Sequence, residues 1–447
     1  MKKTLLLFLA ALITISVSAQ EKKAKTGWSL GGVLPAVSFD SNLGFQYGVL
    51  FEFMNYGDPS KYPECYDHTY TEVSRTTRGS GIYRMMYESN RLIPGVEFIS
   101  DLSYLPDQAY HFYGFNGYES VFNKDWMDNE SADYKSAMFY RIQRNQFRFK
   151  TDFLGKLSGE NLKWTAGFAF QNFGISSVNI EKLNKGRKDK LPSVTEVPGL
   201  FEIYRDLLGV IPENEADGGW VNTLKGGVVW DSRDNRPNPM KGIWTELGLE
   251  IAPGFLGNDW SFSKFYITHR QYFTLVPEDL ALVYRLGYQT TLTGNVPYFY
   301  QSQVITSMLT GATNEGLGGT STLRGVLRNR VVGDGFAFGN IELRWKPFHF
   351  TLFNQECYIG LNAFYDFGIV TKKISLPDDL ESVFDANMKN YEYADFFNPG
   401  GESIHHSVGI SILPVINRNF VISIDIGKAL NEQDGNIGFA MGLNYLF

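Results

Sequence analysis

Residues 438–447 read Gly438-Phe439-Ala440-Met441-Gly442-Leu443-Asn444-Tyr445-Leu446-Phe447. Phe439, Met441, Leu443, Tyr445 and Phe447 fall at every second position, with Ala440, Gly442 and Asn444 between them. A period of two places the large apolar side chains on one face of a strand and the small or polar ones on the other. The chain stops on this stretch, at Phe447. A soluble protein rarely leaves such a terminal strand uncovered, whereas a barrel in lipid needs an apolar outer face. The last strand of a soluble sandwich is the competing reading, and the rest of the sequence is weighed against it.

Lys2 and Lys3 precede an apolar run from Leu5 to Val17, and Val17-Ser18-Ala19 supplies small residues ahead of Gln20. Residues 1–19 therefore read as a secretory signal peptide. The run is short for a membrane-spanning helix, and no later stretch is long and apolar enough for one. An exported chain of this kind enters a membrane as a β-barrel. Composition agrees. Aromatic residues make up 15% of the chain, with 35 Phe and 25 Tyr, and membrane barrels use aromatics at the interfaces and on the lipid face. The net charge of −7 argues against nucleic acid. Export permits a disulfide, but Cys65 and Cys357 make no framework. Cys357 falls on an apolar strand face and reads as a buried free thiol, with pairing left open.

Alternation marks about fourteen strands, from 45–54 to 437–447. Apolar sets such as Ile341/Leu343/Trp345 and Ile359/Leu361/Ala363/Tyr365 alternate with polar ones such as Asn340/Glu342/Arg344 and Asn362/Asp366. Apolar outside and charged inside inverts the soluble pattern. Long and short connections also alternate, as in outer-membrane barrels with short periplasmic turns and longer external loops. The connection 174–220 carries Lys182, Lys185, Arg187, Lys188 and Lys190. A solvated loop and a site for anionic lipid headgroups both fit that run.

Two motifs carry a family resemblance. Trp230-Asp231-Ser232-Arg233-Asp234-Asn235-Arg236-Pro237-Asn238-Pro239-Met240-Lys241-Gly242 resembles a turn of the bacterial surface antigen superfamily, the outer-membrane barrels of BamA/TamA type. The matching positions are Asp231, Arg233, Asp234, Asn235, Pro239 and Gly242. Gly318-Gly319-Thr320-Ser321-Thr322-Leu323-Arg324-Gly325-Val326 resembles the motif of that family's sixth external loop. Gly318, Gly319, Leu323, Arg324 and Gly325 match, and Val326 stands where an aromatic is usual. The resemblance implies a loop folded into the lumen, with its Arg meeting acids on the wall. Glu342 and Asp366 lie on polar strand faces in the family's two following strand motifs, so they are the expected partners of Arg324. A guanidinium fork suits two carboxylates in a way an ammonium does not.

The fold expected is thus all-β: a transmembrane antiparallel β-barrel of the outer membrane. The resemblance implies sixteen strands against the fourteen or so counted. Residues 20–42 are expected as a short periplasmic segment, too short for a POTRA domain, and 43–447 as the barrel with an inward-folded loop 294–333. Phe439, Tyr445 and Phe447 are the expected C-terminal strand signal. By resemblance, the protein inserts or assembles outer-membrane proteins, or serves as an accessory subunit. Its partners would be outer-membrane lipid, assembly components and client barrel proteins, with no nucleic acid. A passive channel or structural barrel is the alternative. The histidines and serines form no catalytic or metal-binding pattern, so neither an enzyme nor a cofactor is expected.

Overall fold

The computed structural model describes residues 26–447 except 37, 41–43, 59–64, 237, 307–315, 353–354, 417–419 and 444–445. Seventeen strand segments form one sheet. They are β1 (Trp28–Pro35), β2 (Ser38–Asp40), β3 (Gly44–Asn55), β4 (Asp67–Thr76), β5 (Gly81–Ile93), β6 (Val96–His111), β7 (Arg141–Ser158), β8 (Leu162–Ser176) and β9 (Gly218–Asp231). There follow β10 (Gly242–Ala252), β11 (Phe262–Val276), β12 (Leu280–Gly294), β13 (Gly335–Leu352), β14 (Gln355–Lys372), β15 (His405–Ile416), β16 (Phe420–Ala429) and β17 (Ile437–Leu443). β1 and β2 both pair with β3, so the segments fill sixteen places. From β3 to β17 each strand pairs antiparallel with the next in sequence.

The expected closed barrel is not what forms. Among the described residues, β17 pairs only with β16, while β1 and β2 pair only with β3. Among the described residues the sheet therefore has two edges without a partner strand. Local chemistry weakens the first edge: β1 ends on Pro35, which has no N–H to give to a ladder.

Three strand segments, filling two places in the sheet, escape the alternation rule and correct the count. Trp28–Pro35 and Ser38–Asp40, expected in a segment ahead of the sheet, are β1 and β2. The register shifts between Leu30 and Gly32, and such a bulge moves the apolar set to the opposite parity, so Leu30 and Val33 are both exposed. β4 offers Thr69, Thr71, Val73 and Arg75 on its outer face, a set too polar to register as apolar alternation.

Elsewhere the two faces separate sharply. In β10, Leu247, Leu249 and Ile251 are exposed while Glu246 and Glu250 between them are buried. In β13, Ile341, Leu343 and Trp345 are exposed while Asn340, Glu342, Arg344 and Lys346 are buried. This is an apolar exterior around a polar interior, the arrangement lipid selects. No helix among the described residues is long and apolar enough to cross a membrane. Cys65 and Cys357 are free thiols, the latter buried.

Much of the aromatic content has a different use from the one composition suggested. The long connections 112–140, 177–217, 295–334 and 373–404 pack together at one end of the sheet. Phe112, Trp126, Phe139, Phe201, Tyr204 and Phe397 belong to one buried cluster there. Phe112 meets Phe201 and Tyr204 edge-on at 6.1 and 5.8 Å between centroids, and Tyr204 stacks on Phe397 at 5.6 Å. Helical turns at Leu200–Glu202 and Ile203–Leu207 lie inside this cap. The loops are thus a second core, held by aromatic burial.

Phe201 has no exposed surface, so Phe201→Ala should destabilise the folded form by about 3–5 kcal/mol. Phe255 is 80% exposed at a neighbouring loop, and Phe255→Ala should stay within about 0.5 kcal/mol. Urea-induced loss of the compact, fast-migrating species on gels checks both. Equal effects would mean that the cap is not a packed core.

Candidate functional site

Connection 295–334 lies against the polar face of the sheet. Gly318–Val326 is a closed turn: Gly319 N donates to Val326 O at 2.9 Å, and Gly318 N donates to the Thr322 hydroxyl at 2.9 Å. Leu323 and Val326 bury their side chains with Leu317, Val331, Phe336, Phe338 and Val370. Val326, in place of an aromatic, serves here as a small core residue. Asn340 Nδ2 donates to Thr322 O at 2.7 Å, and Arg285 Nη2 donates to Ser321 O at 3.0 Å. These bonds seat the turn on β12 and β13.

Arg324 is buried at the tip. Its Nε and Nη2 donate to the two oxygens of Asp366 at 2.9 and 2.8 Å, and its backbone N also donates to Asp366, at 3.0 Å. Nη1 makes an ion-pair contact with Glu342 Oε1 at 2.7 Å and lies 3.7 Å from Asp425. The guanidinium covers the Phe364 ring at 3.6 Å. Bidentate pairing on one side and aromatic stacking below need a planar cation, which lysine cannot supply.

Gly325 follows with φ +92°, and a Cβ on it would lie 2.6 Å from the Gly427 backbone. A Cβ on Gly427 would in turn lie 2.6 Å from Arg324 O, and one on Gly438 would lie 3.1 Å from Gly325 Cα. Three glycines therefore let the loop backbone touch β16 and β17. The pair Arg324-Gly325 binds β13, β14, β16 and β17 at one point.

The far end of the chain meets the same network. Arg344 Nε donates to Glu342 Oε2 at 2.7 Å, and its Nη2 donates to Phe447 O at 3.0 Å. Glu342 is thus shared by Arg324 and Arg344. The Phe447 ring lies 4.8 Å from the Arg344 guanidinium and 5.2 Å from that of Arg285, in a buried cluster with Tyr272, Ala281 and Val283. This placement corrects the simple C-terminal alternation. Phe439 is 66% exposed on the outer face, but Phe447, of the same parity, is only 7% exposed. Leu446 and Phe447 belong to no strand, so parity does not dictate their direction. Tyr445 lies outside the described residues.

The other motif builds the turn between β9 and β10. Asp231 takes a bidentate pair from Arg233 at 2.9 and 3.0 Å. Asp234 accepts from Met240 N and Lys241 N, and Asn235 accepts from Asn238 N. Gly242 takes φ +107°, and a Cβ there would lie 2.3 Å from Ser232 O. Pro239 sits in the same turn, without a backbone donor. Asn238 Nδ2 reaches Tyr358 of β14 at 2.6 Å, and Met240 packs on the Phe447 cluster. The turn therefore folds under the sheet toward the C-terminus, a role separate from Arg324.

Sequence reasoning missed Arg285, Arg344, Phe364 and Asp425. Their polar-face parity, or for Phe364 its place beside Asp366, was visible. Their partners come from the loop tip and the chain end, which local patterns do not connect.

The match to known proteins follows this geometry. Residues 101–445 match the model of the Omp85 superfamily domain. The chain belongs to the Omp85 superfamily. Among solved structures it is similar to BamA from Haemophilus ducreyi lacking POTRA domains 1-3, with a TM-score of 0.50 and 14% identity over 93% of this chain and 70% of that one. It is also similar to CdiB from Escherichia coli, with a TM-score of 0.52 and 10% identity over 96% of this chain and 63% of that one. At such identities the likeness is one of fold, and the chain spans less than two thirds of CdiB. No curated protein matches it. As an Omp85 protein the chain is an outer-membrane protein and not an enzyme. No group of three or more potential metal ligands lies together among its described residues.

Arg324→Ala leaves Asp366 and part of Glu342 without their cation. Breaking a buried pair costs about 3–5 kcal/mol in a dry interior, and a partly hydrated one reduces this to about 1–3 kcal/mol. Arg324→Lys should recover little of it. In a Glu342→Gln/Asp366→Asn background the Arg324→Ala effect should shrink, because the sites share partners. Urea unfolding of the four proteins measures the coupling, and strict additivity would show that they act independently.

Proposed function

We propose that this Omp85 protein assists the insertion or assembly of other outer-membrane β-proteins, itself or as an accessory subunit. The observation that carries this reading is that, among the described residues, β17 and β1/β2 have no pairing with each other. An unpaired strand edge is a template for an incoming strand. The short β17 is already tied to the loop through Gly325–Gly438 contact, and residues 446–447 are drawn to the inner face. A client strand pairing with β17 therefore meets no competing chain end on the outer surface. Outer-membrane lipid surrounds the apolar face, and the clients are barrel proteins presenting a terminal strand. Arg324, Glu342 and Asp366 act as positioning residues that hold β16 and β17 in place while the edge is used.

A passive channel is the less favoured reading. Connection 295–334 occupies the polar face, with Lys150 and Lys225 both donating to Thr306 O and Gln289 donating to Gln303 O at 2.8 Å. A pore would need that face clear.

A photoreactive side chain at Ile437 or Phe439, both exposed on β17, is expected to capture newly made outer-membrane proteins in cells, with capture fading during a chase. The same group at Leu249, exposed in mid-sheet, should capture none. Equal capture at both sites, or none at β17 together with steady ion conductance of the purified protein in planar bilayers, would reject the assembly role in favour of a channel.

A further inference from the structure

A cationic rim stands at the long-loop end, away from the Arg324 network. Arg75 is exposed on the outer face of β4 and is registered against Tyr47 of β3. Arg78 lies in the turn that follows. In that turn a Cβ added to Gly79 would lie 2.5 Å from Lys182 Cε. Residues 182–190, distant in sequence, therefore abut the β4–β5 turn.

This segment is held in shape. The Asn179 side chain accepts from Lys182 N at 2.9 Å. Leu183 and Leu191 are buried with Ala109, Met138 and Val178. Asn184 closes the excursion between them, donating to Leu191 O at 3.0 Å and accepting from Leu191 N at 2.8 Å. The anchored leucines turn the intervening side chains outward, and Lys185, Lys188 and Lys190 are exposed. Arg187 Nη1 is screened from solvent with no hydrogen-bond acceptor among the described residues. The acids in this segment are Glu181 and Asp189, so cations predominate.

Beside this rim runs an aromatic row on the outer face. Tyr83 is registered against Tyr104, and Tyr104 against Phe147. The Tyr83 and Tyr104 rings lie 6.2 Å apart, as do those of Phe147 and Trp220. Exposed aromatic rows of this kind mark the level where hydrocarbon gives way to headgroups. The long connections face outward in such proteins, which puts the cations at the headgroups of the outer leaflet.

We propose that the rim formed by the β4–β5 turn and residues 182–190 binds the phosphorylated headgroup of an outer-leaflet lipid. Phosphate oxygens suit arginine forks and clustered lysines, and the tyrosine row gives the attached acyl chains an apolar surface. The inference rests on the outer-membrane placement and is independent of the assembly role.

The test uses the full chain, purified in non-ionic detergent, and fluorescent lipid A as the probe. Wild-type protein is expected to bind the bisphosphorylated form at least about tenfold more tightly than the dephosphorylated one, and to lose that preference near about 0.5 M salt. Lys182→Gln/Lys185→Gln/Lys188→Gln should remove most of the preference, while Lys156→Gln, exposed near the opposite end of β7, should leave it intact. Gel migration before and after heating reports folding of each variant. If the triple variant does not fold, the wild-type comparison of the two lipids and the single Arg75→Gln variant decide. Equal binding of both lipids, or an unchanged preference in a folded triple variant, would overturn the proposal. Full displacement by an equal concentration of inositol hexakisphosphate would also overturn it, by assigning the rim to a soluble polyanion.

Discussion

A guanidinium that cannot shed its charge has been placed where little water reaches it. Arg324 stays protonated at any pH the fold survives, so the surrounding chain must supply its counter-charge and its hydrogen bonds. Asp366 satisfies one edge of the fork, Glu342 and the more distant Asp425 face the other, and Phe364 covers the plane. The three carboxylates come from different strands of the C-terminal half, β13, β14 and β16, and Phe364 shares β14 with Asp366. Satisfying one cation therefore fixes three strands relative to the loop. Gly325 adds β17 by steric closeness, not charge. This is why the loop tip matters to the sheet's edge although it lies on the opposite side of the backbone from lipid.

Glu342 carries the connection further. One of its oxygens faces Arg324 and the other Arg344, which donates to Phe447 O. Loop tip and chain end thus compete for, and are aligned by, one buried carboxylate. A network of this kind stabilises only when complete, since each missing partner leaves a buried charge. The tail and the loop are expected to dock together for that reason. The free edge of β17 and the tucked Phe447 are consequences of a single arrangement.

What could be read from sequence follows from how local each signal is. Alternation depends on neighbours two residues apart, so β10, β13 and β14 stood out wherever large apolar residues occupied one parity. It failed at β1, where the bulge after Leu30 reverses parity, and at β4, whose outer face holds two threonines and an arginine beside Val73. Phe447 shows a further limit: a period has no force outside a strand, and Leu446 and Phe447 belong to none. The string around Arg324 was legible through family resemblance, and Glu342 and Asp366 through parity. Arg344, Asp425 and the glycine contacts were not, because they depend on which strands a loop crosses. The aromatic count was legible but its destination was not, since Phe112, Trp126 and Phe201 carry no mark that separates a loop core from a lipid face.

The open edge sets the final constraint. In hydrocarbon an unpaired N–H or C=O finds no water, so a long free edge could not persist. Among the described residues the edge is interrupted, by the bulge in β1 and by its end on Pro35. An interrupted edge keeps the penalty within what the neighbouring ladders and the Arg324 contacts can offset, and it leaves unmet backbone groups that an incoming strand would satisfy. The same groups also favour pairing with the chain's own first strand. Pro35 and the bulge beside Gly32 weaken that internal partner, which shifts the balance toward a strand supplied from outside.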